Sequence, residues 1–341
     1  MTAVPRHPAP ESPSLGGLSA SGPAAGDRAG SGRAAAAPCA MSIDVEDWFH
    51  SENVADVVPR AAWDGCAQRA ERNTLRMLEI LAGHDVRATF FVLGWVAERR
   101  PALVRDIAAA GHEVASHGYG HELVYRMRPA DFRADVTRAR ALLEDLSGQE
   151  VRGYRAPCFS ITDWAIDELQ AAGYAYDSSM VPTLAHDRYG RIEGYDGRLP
   201  VAELRPGFDE VCVSCLPFGR RGLPWGGGGW FRLTPFALWM RGVEAIRNAG
   251  LPYVFYIHPW EIDPGHPVPP GMRPSNRFRQ RVNLGRCEAR FDAIAGALDW
   301  MPVADLLEVW KGRPAAGGGR PGAAAPAPFR APFPVDEETS R

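Results

Sequence analysis

Between Glu113 and Tyr154 the chain reads Glu113-Val114-Ala115-Ser116-His117-Gly118-Tyr119-Gly120-His121, then apolar positions at Phe132, Val136, Ala139, Leu142, Leu143 and Leu146 up to Gly148, then Val151-Arg152-Gly153-Tyr154. Glu113-Val114-Ala115 at the head of the first run predicts a strand with Ser116–His121 in the loop after it, the spacing of three and four predicts a helix stopped by Gly148, and the last run predicts another strand. Strand, helix, strand is a βα unit, and such units build a parallel sheet or barrel. Similar strand-like runs stand at Met41-Ser42-Ile43-Asp44-Val45, Ala88-Thr89-Phe90-Phe91-Val92-Leu93 and Tyr253-Val254-Phe255-Tyr256-Ile257. Leu75, Leu78, Ile80 and Leu81 carry helical spacing between the first two. Trp164–Ala172 predicts a further helix, capped from Ser160–Asp163 and stopped by Gly173.

In such folds function collects in the loops beyond the C-terminal ends of the strands. Those loops hold Asp44-Val45-Glu46-Asp47, the pair His117 and His121, Arg155-Ala156-Pro157-Cys158-Phe159, and His258-Pro259-Trp260. Each alone suits a solvated turn, a cap or a structural ion pair. Together they are the ligand and acid–base types that metal-assisted hydrolysis needs.

Composition bounds the answer. The 341 residues are 45% hydrophobic and 23% charged, with a formal charge of −3, which gives no electrostatic reason for nucleic acid or an anionic membrane as partner. No run approaches a membrane-spanning length of apolar residues. The N-terminus lacks a charged flank followed by an apolar stretch, so no signal peptide and a cytoplasmic location are expected. Residues 1–40 and 313–341 are rich in Ala, Gly, Pro and Ser and are expected to be disordered. Met41, directly before the first strand, is an alternative start. The folded body is expected to comprise a barrel over 41–265 and an Arg-rich segment packed on it over 266–312.

The motif order Asp44-Val45-Glu46-Asp47, Ser116-His117-x-x-x-His121, Arg155-Ala156-Pro157-x-Phe159, Ile257-His258-Pro259 resembles the polysaccharide deacetylases, the NodB-like carbohydrate esterases of family four. Gly226-Gly227-Gly228-Gly229-Trp230-Phe231-Arg232 and the Arg-rich segment 273–290 resemble members associated with exosortase and exopolysaccharide loci. The resemblance spans about 41–310 and implies an α/β fold, a distorted (β/α) barrel commonly of seven strands. It also implies one divalent metal ion, Zn²⁺ by default, with Co²⁺ or Ni²⁺ fitting the same ligands. His117 and His121 are then metal ligands together with a carboxylate. Most members carry two adjacent Asp; here Val45 follows Asp44, leaving Glu46 or Asp47, and strand alternation puts Glu46 on the face of Asp44.

By the same resemblance Asp44 is the general base held by Arg155, and His258 is the acid that protonates the leaving amine. A backbone N–H just after Pro157, near Cys158, faces the oxyanion; Cys158 stands where an aromatic residue is common. Phe159, Trp230 and Asp177 are expected near the substrate. The implied activity is N-deacetylation of an amino-sugar polysaccharide or precursor, with an acetylated glycan as partner. An allantoinase-like hydrolase of a small cyclic amide and an inactive glycan-binding barrel are the alternatives. Outside the motifs, the glycine run 226–229 lacks the Gly-Lys-Ser/Thr of a phosphate loop and reads as a sugar-stacking wall or a barrel-edge loop. Arg273, Arg277, Arg279, Arg281, Arg286 and Arg290 read as partners of acidic groups or as contacts for an anionic glycan. His50 reads as lining the cleft or as a core histidine.

Overall fold

The computed structural model describes residues 37–183, 188–218 and 221–312. The chain enters the fold earlier than the expected boundary at residue 40: the first strand, β1 (Cys39–Val45), is buried along its whole length. The remainder of the expected N-terminal extension and the tail 313–341 lie outside the described residues. After β1 come α1 (Ala70–Gly83), β2 (Thr89–Val92), α2 (Gly94–Arg99), α3 (Pro101–Ala109), β3 (Glu113–Ser116), α4 (Pro129–Ser147), β4 (Gly153–Tyr154), α5 (Asp163–Ala171) and β5 (Tyr176–Asp177). A strand-rich stretch follows, β6 (Val201–Arg205), β7 (Phe208–Val211), β8 (Cys215–Phe218) and β9 (Arg221–Pro224). The chain then forms α6 (Gly228–Leu233), α7 (Phe236–Asn248), β10 (Tyr253–Ile257), α8 (Pro274–Arg281), α9 (Cys287–Ala295), β11 (Trp300–Met301) and α10 (Val303–Lys311).

The sheet runs β10-β1-β2-β3-β4-β5-β7 with every neighbouring pair parallel. An antiparallel β6 lies outside β7, β11 pairs with β1, and β8 and β9 form a separate hairpin. This is the distorted (β/α) barrel, a curled sheet with helices packed on its outside. Alternation sorts the side chains. Met41, Ile43, Phe90, Val92, Phe255 and Ile257 face the helices, while Ala40, Phe91, Ala115, Tyr176, Val211 and Val254 face inward. The inward set packs on Val303, Leu306 and Leu307 of α10, which plugs the end where the strands begin. Buried polar groups meet the start of that helix: Val303 N donates to Thr89 Oγ1 (2.7 Å) and Ala304 N to Glu113 Oε2 (3.2 Å). They satisfy N–H groups that an α-helix leaves unpaired at its N-terminus. The segment 266–312 therefore does not merely pack on the barrel; β11 and α10 are parts of it.

Local signals resolve mostly as expected. α4 ends at Gly148, whose φ of 67° is the left-handed cap that glycine supplies. The cap expected for α5 is different: Thr162 at its start makes no capping bond, and Ser160 donates to Pro157 O (2.7 Å) while accepting from Val124 N (2.9 Å). The hydroxyl thus ties two loops at the top of the barrel together.

The glycine run closes the curl. Tyr256 N donates to Gly226 O (2.7 Å), and Gly227 bridges Tyr256 on the edge of β10 opposite β1. Gly227 has φ 149°, and a Cβ there would sit 1.9 Å from Tyr256 O. The run is thus a seam that lets backbone meet backbone, the barrel-edge reading of the two. Gly227→Ala is expected to destabilise the protein by about 2 kcal/mol or more; a urea midpoint unchanged from wild type would overturn the seam.

Candidate active site

The open end of the barrel collects the strand-end motifs. Alternation along β1 points Ser42 and Asp44 inward, where both receive Arg155 Nη1 at 2.7 Å. Arg155 is fully buried; its Nε donates to Ser178 O (2.8 Å), its Nη2 to Ser178 Oγ (2.9 Å), and its guanidinium lies 4.1 Å from the Phe91 ring centroid. Three strand or strand-end residues, Ser42, Phe91 and Ser178, thus fix one cation against Asp44.

Past Val45 the chain turns, with Glu46 N donating to Asp44 O (3.0 Å). Trp260 Nε1 donates to Glu46 Oε1 (3.0 Å), which leaves Oε2 facing the two imidazoles. His121 Nε2 lies 2.5 Å from that oxygen and His117 Nε2 lies 3.7 Å from it. His117 Nδ1 donates to Arg155 O (2.9 Å), so its Nε2 carries the lone pair. His121 Nε2 is buried without a hydrogen bond despite its closeness to Glu46. One oxygen and two imidazole nitrogens, all within 4.8 Å of one another, form a donor set that fits a divalent cation such as Zn²⁺. Burial alone would raise the Glu46 carboxyl, but His121, His258 and His117 hold it well below the usual carboxylate range.

Asp47 corrects one of the two expected carboxylate ligands. Its Oδ1 accepts from Trp48 N (2.9 Å), and its Oδ2 accepts from Arg69 N (2.5 Å) and Ala70 N (2.8 Å), sealing the start of α1. His50 is a core histidine: its Nδ1 accepts from Asp47 N (2.8 Å), and its ring stacks on His121 with centroids 5.8 Å apart. Burial, with His121 beside it, drives the His50 pKa well down, so the ring is neutral.

Across the cavity, His258 follows β10. Its Nδ1 is 2.8 Å from Glu261 Oε1, and its Nε2 is 3.8 Å from both Asp44 Oδ2 and Glu46 Oε1. Glu261 in turn accepts from Arg232 Nε (2.6 Å), whose other nitrogens donate to the carbonyls of Arg279 (2.9 Å) and Val282 (2.8 Å). Burial disfavours charge on His258, but Glu46, Glu261 and Asp44 outweigh it and push the pKa up to about 9. The surrounding carboxylates thus favour the charged ring. In the loop after β4, Ala156 N donates to Ser179 Oγ, Phe159 N to Ala156 O and Ser160 N to Pro157 O. Pro157 has no N–H, so Cys158 is left with the N–H that has no acceptor among the described residues. A cavity of about 410 Å³ spans these groups.

Residues 62–176 match the family described as polysaccharide deacetylase, and residues 178–308 match a domain of unknown function, DUF3473. The chain carries a polysaccharide deacetylase domain. A chitooligosaccharide deacetylase of Bradyrhizobium is 38% identical over 38% of this chain and 66% of its own length. A peptidoglycan-N-acetylglucosamine deacetylase of Bacillus cereus is 28% identical over 35% of this chain and 49% of its own. The chain spans about half the length of several curated relatives it matches. Among solved structures, a putative polysaccharide deacetylase from Mycobacterium smegmatis superposes with a TM-score of 0.55 at 22% identity, covering 80% of this chain and 90% of that one. This likeness is one of fold. The two matched regions are not separate bodies here: β1–β5 and β7 form one sheet with β10, and His258 comes from the region of unknown function.

Cys158 and Phe159 of the deacetylase match, with Trp230 of the region of unknown function, line the cavity. Pro157 is buried beneath the loop and is not part of that lining. Asp177 is corrected as a substrate contact: it is fully buried and accepts from Ser179 Oγ (2.5 Å), and Glu210 lies beside it on the neighbouring strand. It braces the Arg155 loop from below through the Ser179–Ala156 bond. Residue patterns missed Glu261, Arg232 and Asp135. Glu261 stands three residues after His258, a capping-box spacing, and Asp135 falls on the apolar face of α4 between Phe132 and Ala139. Asp135 Oδ1 accepts from Tyr119 N (2.7 Å) and Oδ2 from Gly120 N (2.9 Å), which sets the turn that delivers His121. Asp135→Ala is expected to lower Zn²⁺ affinity about tenfold in competition titrations, with Asp135→Asn losing less; unchanged affinity in both would sink the positioning role.

Proposed function

We propose that this chain is a metal-dependent hydrolase removing N-acetyl groups from an amino-sugar polysaccharide or its precursor, serving exopolysaccharide production. The observation that carries the reading is the Glu46–His117–His121 donor set, whose Glu46 lines one cavity with Arg155-held Asp44 and with His258. A divalent metal held by those three donors would polarise the acetyl carbonyl and make water more acidic. Asp44, paired with Arg155, takes a proton from the attacking water as its oxygen bonds to the acetyl carbon. The Cys158 N–H donates to the oxyanion that develops. His258 passes its Nε2 proton to the departing nitrogen, so the C–N bond breaks to give acetate and a free amine. Glu261 holds the His258 ring and favours its charged form.

The deciding experiment pairs elemental mass spectrometry with acetate release from acetylated chitooligosaccharides. About one transition metal per chain is expected, lost in a His117→Ala/His121→Ala double variant. Asp44→Asn should retain the metal and lose activity by a factor on the order of 10²–10⁴; normal turnover in that variant overturns the base assignment. The pH dependence tests the acid. Activity should fall as pH rises through the His258 pKa, since its deprotonated ring cannot donate. In Glu261→Gln that alkaline limb should move to lower pH; an unmoved limb overturns the role of Glu261.

A further inference from the structure

The outer wall of the cavity carries a feature that N-deacetylation does not use. Trp230 and Leu233 of α6 and Phe278 of α8 all line it, with 37%, 48% and 58% of their surfaces exposed. Exposed apolar side chains gathered at the mouth of a cavity mark ligand contact. Beside Phe278 stands Arg279, also lining the cavity and exposed, whose guanidinium has no ion-pair or hydrogen-bond partner among the described residues. Arg277 and Arg286 are also without a side-chain partner among the described residues but do not line the cavity, and the other arginines of the segment are engaged. Arg273 pairs with Asp56, Arg281 donates to the carbonyls of His266 and Pro264, and Arg290 donates to those of Arg232 and Thr234.

The charge balance of the wall points the same way. Deep in the cavity each acid is matched: Asp44 by Arg155, Glu261 by Arg232 and His258, Glu46 by the imidazoles around it. Nearer the mouth Glu52, Arg188 and Arg279 all line the cavity, and Arg188 donates to Asn53 Oδ1. A planar guanidinium beside apolar surface suits a carboxylate or phosphate attached to a sugar. Arg279 is also held in place: its carbonyl accepts from Arg232, so the wall is anchored to the pair that holds His258.

We infer that Arg279 is a specificity-determining residue that binds an anionic group carried next to the acetamido sugar, so the preferred substrate is an acidic glycan. The inference rests on the deacetylase reading. Two sources share the chemistry, a uronate carboxylate and a glycosyl phosphate. The test is calorimetric titration of the full chain with neutral chitotetraose, with a hyaluronan tetrasaccharide and with UDP-N-acetylglucosamine. Wild type should bind at least one anionic ligand more tightly than chitotetraose. A preference for hyaluronan assigns the carboxylate, and one for the nucleotide sugar assigns the phosphate. In Arg279→Ala the preference should shrink about three- to fivefold, and Arg279→Lys should keep most of it. No preference in wild type, or the same preference in Arg279→Ala, overturns the inference. Acetate release from chitotetraose by wild type reports separately on the deacetylase reading.

Discussion

A buried guanidinium organises this site. Arg155 is shielded from water and has one ionic partner, Asp44, so its charge is tolerated only because carbonyl and hydroxyl oxygens from β1 and the loop after β5 converge on it. The same residue offers its carbonyl to His117 and so fixes which nitrogen that ring presents to the cavity. Carboxylate, imidazole and the loop bearing Cys158 are therefore positioned by a single residue. Removing the cation would leave Asp44 buried with only the more distant His258, 3.8 Å away, to offset its charge, a loss typically of several kcal/mol.

The opposite wall is built by a second guanidinium. Arg232 leaves α6, meets Glu261 behind His258 and reaches the carbonyls at the end of α8. Both cations serve as braces, yet they act on different partners: Arg155 pairs directly with the carboxylate of Asp44, whereas Arg232 holds the carboxylate of Glu261 that favours charge on the His258 ring. His258 Nε2 and Asp44 Oδ2 thus stand 3.8 Å apart, each held by its own buried guanidinium system.

What could be read from residue order follows from the periodicity of strands. Asp44, His117, Arg155 and His258 each end or follow a short apolar run, and parallel strands in one sheet bring their ends together whatever the intervening loops do. The choice between Glu46 and Asp47 depended on a turn and on Arg69 and Ala70, remote in sequence, whose N–H groups claim the Asp47 carboxylate. Asp177 was misplaced for a related reason. Its strand is two residues long, so which way its side chain faces is set by Glu210 and Ser179 and not by any pattern of its own. Glu261 and Arg232 were invisible as a pair because they meet only once α6 and β10 are packed.

The pairing of β1 has a consequence for how the protein is made. Its edge partners β10 and β11 and the plug α10 are all synthesised more than 200 residues after it, as the separation of Cys39 from Tyr253 shows. During translation the strand bearing Asp44 must wait, apolar on its outer face, until nearly all of the folded chain has left the ribosome. Contacts so distant in sequence form slowly. A nascent chain of this topology exposes an unpaired strand edge for most of its synthesis, which makes production of the protein sensitive to chaperone supply and to the pace of elongation.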